Sequence, residues 1–171
     1  MKDVTNNPIS QDLNLWFYKD GNIVTENIFQ KFKRKKVVVF GLPGAFTPTC
    51  TSQMLPQYES RYEDILACGI DEVYCHSVND PYVMDAWFKS LDIKNVKPLP
   101  DGNGEWAGIM GTLCPMVSKG YGARSWRYTS VINDRRIQWK SQEDGIDTPE
   151  DGGDPYTCSD PDTLIRYLRA L

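Results

Sequence analysis

The stretch Lys36–Gly41, KVVVFG, constrains the fold most: three consecutive valines and a phenylalanine between a lysine and a glycine. β-Branched side chains lose rotamer freedom in a helix, and an apolar run without alternation has no wet face. The stretch therefore reads as a strand covered on both sides. Such a strand needs neighbours in a sheet packed between helices, and the chain downstream supplies them. From Cys50 to Ala67 apolar residues recur at Met54, Leu55, Tyr58, Tyr62, Ile65 and Leu66. This is a helical period that stops at Gly69, with Pro56 predicted to kink it. EVYCHSV (Glu72–Val78) reads as a second strand. Asp80 and Pro81 then open a helix as N-cap and first residue, with Val83, Met84, Trp87, Phe88 and Leu91 on one face. The β-α-β-α alternation predicts parallel pairing of the first strands. NVKPLP and SWRYTSVIN (125–133) read as further strands, the latter turning at Asp134-Arg135-Arg136 into IQWKSQE as a hairpin. A loop rich in Gly, Asp and Pro (Asp144–Tyr156) leads to a last helix, capped by Ser159 or Asp160, with Leu164, Ile165, Leu168 and Leu171 inward.

A chain of 171 residues suits one domain, residues 1–171, that needs no disulfide staples. No apolar run approaches the roughly 20 residues that span a membrane, and MKDVTNNPISQDLNLW lacks the apolar core of a signal peptide. The expectation is a cytoplasmic protein with no membrane partner. A net charge of −4 argues against a nucleic-acid surface, and the basic cluster KFKRKK (Lys31–Lys36) is read as a solvated segment before the buried strand. The five cysteines, at 50, 68, 75, 114 and 158, form no C-x-x-C pair, and His76 is the single histidine. Zinc is poorly supported by that spacing, and no metal or cofactor is expected. An odd number of cysteines in a cytoplasmic chain implies reduced thiols, with any disulfide transient and chemical in purpose.

Cys50 stands where the buried strand passes through a proline-stiffened loop, GLPGAFTPTC, into the first turn of a helix. Unpaired N–H groups and the positive end of the dipole there favour a thiolate, hence a nucleophile. Thr47 can bring a hydroxyl beside the sulfur, and Pro43 can wall a small pocket without adding a donor. A cation is still needed. His76 is tied by its position to Cys75, so a Cys-His hydrolase is poorly supported and an arginine is the better candidate. A C-x5-R phosphatase loop would need arginine at position 56, which is Pro56. Taken singly, each residue also has a plainer reading: the prolines shape a loop, Thr47 or Thr49 caps the helix, and Arg127 faces solvent on a hairpin.

PGAFTPTC contains the P-x-x-x-T-x-x-C pattern of peroxiredoxins, and GLPGAFTPTCTSQMLP resembles the type-5 subfamily in particular. HSVND, PDGNGEW, GARSWRYTSV and GDPYTCSDPDTL resemble it too, in order, over most of the chain from about residue 36. The resemblance implies an α/β, thioredoxin-like fold with a central mixed sheet flanked by helices. It further implies a peroxidase that reduces hydrogen peroxide and alkyl hydroperoxides. Cys50 would be the peroxidatic nucleophile, Thr47 would hydrogen-bond peroxide and sulfur, Pro43 would shield the sulfenic acid, and Arg127 would supply the cation. The resemblance also implies a homodimer packed near the active-site loop, with Trp87, Trp106, Trp126 and Tyr128 open to a place in either interface or core.

A sulfenic acid must be reduced by a second protein thiol or by an external one. Cys158 in TCS is the preferred resolving cysteine, with Cys75, in an apolar strand, and Cys114 as weaker candidates. Relatives without a cysteine there are reduced by glutathione or glutaredoxin, so both those reductants and thioredoxin remain open. A thioredoxin-type oxidoreductase is disfavoured because Thr47 stands where C-x-x-C needs its first cysteine. The alternative from another class is a redox-sensing or chaperone-like binding protein in which oxidation of Cys50 controls assembly.

Overall fold

The computed structural model describes residues 3–149 and 153–171. Its centre is a five-stranded mixed sheet in the order β5-β4-β3-β8-β9, built from β3 (Lys36–Gly41), β4 (Glu72–Ser77), β5 (Lys97–Pro100), β8 (Tyr128–Asn133) and β9 (Arg136–Gln142). β3, β4 and β5 are parallel, as the alternation predicts, whereas β8 pairs antiparallel with both β3 and β9. The valine run sits at the middle of the sheet and divides its side chains between two cores. Val38 and Phe40 face α2 (Leu55–Ser60), α4 (Pro81–Ser90) and α6 (Pro161–Arg169). Val37 and Val39 face the other way, towards β1 (Asn14–Lys19), α1 (Ile28–Lys31) and α5 (Glu105–Met110).

Several elements depart from the sequence-based expectation. β1 pairs with β2 (Asn22–Asn27) as a hairpin turning at Asp20 and Gly21, both at positive φ; it was not predicted. The helix expected over 50–67 is three pieces: a π turn at Cys50–Met54, then α2, then α3 (Tyr62–Leu66) after a break at Arg61. Pro56 explains the π turn. It lacks an N–H and its ring would strike the carbonyl four residues back, and one extra residue in the turn relieves both demands. The break falls at Arg61 instead of Pro56. The strand expected over 125–133 is also divided, because β7 (Gly122–Ser125) pairs with β6 (Leu113–Met116) in a separate hairpin. Trp126 and Arg127 make the crossing between β7 and β8.

The expected caps are in place at α4 and α6. Asp80 accepts from the N–H groups of Tyr82 and Val83, and Asp160, not Ser159, caps α6. Leu171, expected inward, is 68% exposed because α6 ends before it. In the β8–β9 turn both Asp134 and Arg135 adopt positive φ, the two-residue geometry that matches strand twist, so Arg135 occupies a place suited to glycine. Trp87, Trp106, Trp126 and Tyr128 are all buried within the chain, which assigns them to core and removes them from any interface. Of the basic cluster, Phe32 is buried, while Lys31 and Lys35 pair with Glu26 and Glu72. Among the described residues no helix is long and apolar enough to cross a membrane.

Candidate active site

Three backbone features bring Cys50 to one place. β3 ends at Gly41, where a side chain could not exist because the ring of Tyr128 occupies its Cβ position. The loop then turns through Phe46 at positive φ, tied by the Ala45 N–H to Asn79 Oδ1 at 3.0 Å. Pro48 starts the helical path, and the π turn begins at Cys50 itself, closed by the Leu55 N–H on the Cys50 carbonyl. Trp87 Nε1 donates to Thr51 Oγ1 at 3.1 Å and anchors the turn to α4.

Cys50 is fully buried, and the Arg127 guanidinium, 1% exposed, points at it: Nη1 lies 3.5 Å from Cys50 Sγ and 3.4 Å from Met54 Sδ. The remaining guanidinium nitrogens are held from behind. Nε donates to the Pro155 carbonyl at 2.9 Å, Nη2 pairs with Asp154, and the Tyr156 ring lies 5.6 Å from the guanidinium carbon. Burial works against the Arg127 charge, but the Cys50 sulfur and Asp154 carboxylate outweigh it, and the arginine is held more firmly protonated than usual. A fixed cation therefore meets a buried sulfur.

A cleft of about 200 Å³ is walled by Pro43, Thr47, Pro48, Met116 and Trp126 and includes Asp154, the ion-pair partner of Arg127, in its lining. Thr47 Oγ1 donates its hydrogen to the Gly44 carbonyl at 2.7 Å, so towards the cleft the hydroxyl can only accept. The structure thus brings Cys50 and Arg127 into contact from a loop and a crossing 77 residues apart, and sets Pro43 and Thr47 of the same loop in the wall of the cleft that holds Asp154. It adds Arg124, which the sequence reading did not single out. Arg124 Nη1 donates to the Pro43 carbonyl at 3.2 Å and its Nε to the Tyr121 carbonyl at 2.9 Å, fixing the loop from the β6–β7 hairpin.

Cys158 is half-buried just before α6, and none of the five cysteines is in a disulfide. Its N–H donates to Glu143 at 2.9 Å and its carbonyl accepts from Ser141 Oγ at 2.8 Å, so its backbone is fastened. Burial, followed by the nearby Glu143, raises its thiol above the ordinary range. Cys75 is fully buried in the Cys50-facing core, where burial and the adjacent Cys50 push its thiol well up. It behaves as a small hydrophobe. Among the described residues no group of three His, Cys, Asp or Glu side chains is arranged to hold a metal.

Comparison with known proteins identifies the family. The Redoxin family model matches residues 16–154. Peroxiredoxin sll1621 from Synechocystis is 48% identical over 142 residues, 82% of this chain and 74% of that protein. The hybrid peroxiredoxin hyPrx5 of Haemophilus influenzae is 41% identical over 80% of this chain, which corresponds to 55% of that longer protein. Among solved structures, reduced Prx3 of Vibrio vulnificus in complex with hydrogen peroxide superposes with a TM-score of 0.86 at 26% identity, covering 98% of this chain and 99% of that one. The 1-Cys peroxiredoxin of Plasmodium falciparum gives 0.90 at 29%, covering 97% and 99%. The thioredoxin-like fold is the one the sequence implied, and a buried thiol facing an arginine suits its chemistry. This chain belongs to the peroxiredoxin family and is a thiol-dependent peroxidase.

Proposed function

We propose that the chain is a type-5 peroxiredoxin that reduces hydrogen peroxide and alkyl hydroperoxides with Cys50 as nucleophile. The observation that carries this reading is Arg127 Nη1 at 3.5 Å from Cys50 Sγ, with the loop residues Pro43 and Thr47 walling a cleft that also holds the Arg127 partner Asp154. A hydroperoxide entering the cleft donates its O–H to Thr47, whose own hydrogen is committed to Gly44, while Arg127 donates to the peroxide oxygens. The two contacts have opposite polarity and fix which way the O–O bond points. The Cys50 thiolate attacks the nearer oxygen, the O–O bond breaks, and the departing hydroxide or alkoxide, steadied by Arg127, takes a proton from solvent and leaves as water or alcohol. Cys50 is then a sulfenic acid, and Pro43 shields it without offering a donor. Electrostatic aid of this kind, aimed at the charge that develops in the transition state, is usually the largest catalytic contribution.

Resolution follows from how Cys158 is held. Any swing of Cys158 onto the Cys50 sulfenic sulfur, to form a disulfide and expel water, would work against the hydrogen bonds that tie Thr157–Ser159 to Glu143. We therefore take an external thiol, glutathione or glutaredoxin, as the faster reductant, with a Cys50–Cys158 disulfide and thioredoxin as the slower route. The homodimer is proposed to pack near the active-site loop through exposed Phe46, with the apolar groove lined by Trp16, Ile23, Pro81 and Tyr82 as further apolar surface. Phe46→Glu should then shift sedimentation from dimer to monomer.

The deciding experiment treats reduced protein briefly with slightly less than one equivalent of hydrogen peroxide, blocks remaining thiols and maps peptides by mass. One added oxygen on Cys50 with Cys158 free supports the external-thiol cycle. A Cys50–Cys158 disulfide would assign the cycle to Cys158 and a thioredoxin-type reductant. Oxidation scattered over all five thiols would sink the role of Cys50. Slow turnover with a large change in assembly would favour the redox-sensing reading.

A further inference from the structure

One buried charge takes no part in the chemistry above. Glu143 follows the last residue of β9, is 1% exposed, and pairs with no lysine or arginine among the described residues. A carboxylate in that position is costly unless its oxygens are fully bonded. They are. Oε1 accepts from the N–H groups of Thr157 at 2.8 Å, Cys158 at 2.9 Å and Ser159 at 2.9 Å, and from Ser159 Oγ at 2.7 Å. Oε2 accepts from Thr157 Oγ1 at 2.8 Å. These five bonds all fall on three consecutive residues.

The backbone of Glu143 is bonded in the opposite direction. Its N–H donates to the Arg127 carbonyl at 3.0 Å, and its carbonyl accepts from Trp126 Nε1 at 2.9 Å. Glu143 therefore joins the crossing that carries Arg127 to the far end of the segment Asp154–Ser159. The near end of that segment, Asp154 and Pro155, holds the guanidinium. We infer that Glu143 is a positioning residue, whose carboxylate anchors Asp154–Ser159 so that Arg127 stays on Cys50 and Cys158 stays in place. The inference rests on the reading that Arg127 assists the oxidation of Cys50.

The test follows two rates in the full-length chain: Cys50 oxidation by hydrogen peroxide in stopped flow, and Cys158 alkylation by iodoacetamide, mapped by mass. Glu143→Ala is expected to slow Cys50 oxidation about 10- to 100-fold, the loss a misplaced catalytic contact brings, and to speed Cys158 alkylation about 10-fold. Glu143→Gln keeps a carbonyl to accept the N–H groups and should recover most of both rates. In an Arg127→Ala background, adding Glu143→Ala should change oxidation less than about 2-fold, because the residue it positions is gone. A Glu143→Ala protein that melts lower yet oxidises at the wild-type rate would overturn the inference and leave Glu143 as an anchor for α6. Equal losses in both backgrounds would overturn it too. Should Glu143→Ala fail to fold, Thr157→Val removes one of the five bonds. Slower oxidation with faster Cys158 alkylation in that variant supports the inference, and two unchanged rates overturn it. Arg127→Ala oxidising as fast as wild type would instead remove the reading beneath it.

Discussion

The two faces of the central sheet both bury polar groups, and they do so to different ends. On the face away from Cys50, His76 and Asp101 are wholly buried, with His76 Nε2 3.0 Å from Asp101 and Nδ1 3.2 Å from the Tyr128 hydroxyl. Trp106 Nε1 donates to that hydroxyl at 2.7 Å, and Asp101 accepts the N–H groups of Trp106 and Ala107 at the start of α5. Every member is satisfied by another. On the Cys50 face, Arg127 spends one donor on a sulfur that accepts weakly, and its partner Asp154 lines an open cleft. Buried polarity that closes on itself holds the fold together, whereas a cation left with a weak acceptor beside a cleft is available for chemistry. Arg127 and Tyr128 are neighbours in sequence, yet each serves a different face.

The comparison is sharpest at its extremes. Cys50→Ser should bring thiol-dependent peroxide consumption down to the level without enzyme, and near-normal turnover would make the open face as inert as the closed one. Arg127→Ala should slow Cys50 oxidation by about 10²-fold or more, with circular dichroism unchanged.

Acid should test the Arg127 side through Glu143. Burial pushes its carboxyl up, but the bonds from Cys158, Ser159 and Thr157 more than offset that and hold it at about 2, below its usual 4.5. Because the folded value is depressed, its contribution is complete above the unfolded value and is lost as pH falls from about 4.5 through about 2. Between pH 6 and pH 2, wild type should lose up to about 3 kcal/mol more than Glu143→Gln in urea denaturation, and parallel curves would refute it. The smallest effect belongs to the closed face. His76→Leu should cost about 2 kcal/mol by leaving buried partners unmatched, while Cys50 oxidation changes less than about 3-fold. A large rate loss there would join the two faces into one machine.

Legibility in the sequence followed the range of the interactions. The valine strand, the Asp80-Pro81 cap and the helical faces were readable because each pattern is local. The β1–β2 hairpin carried a signal in Lys19-Asp20-Gly21-Asn22 that was not used. The helix over 50–67 and the strand over 125–133 were misread in their interiors, because periodicity cannot count one extra residue in a π turn or a crossing made by Trp126 and Arg127. Cys50, Thr47 and Pro43 were readable from the strand-to-helix loop, Arg127 only through motif resemblance, and the structure then set Arg127 on Cys50. Glu143 and Arg124 were not legible. In SQEDG a glutamate reads as a surface acid, and its partners lie at least 14 positions away.

The π turn gives the site an unusual sensitivity to chain length. It contains one residue more than an ordinary helical path would need, and Ser52 and Gln53 within it are exposed. Deleting either would remove no core contact, yet it would regularise the turn and rotate everything before it by about 100° relative to α2. Cys50 would be carried to another side of the helix, away from Arg127, in a protein that had lost only one solvent-facing side chain.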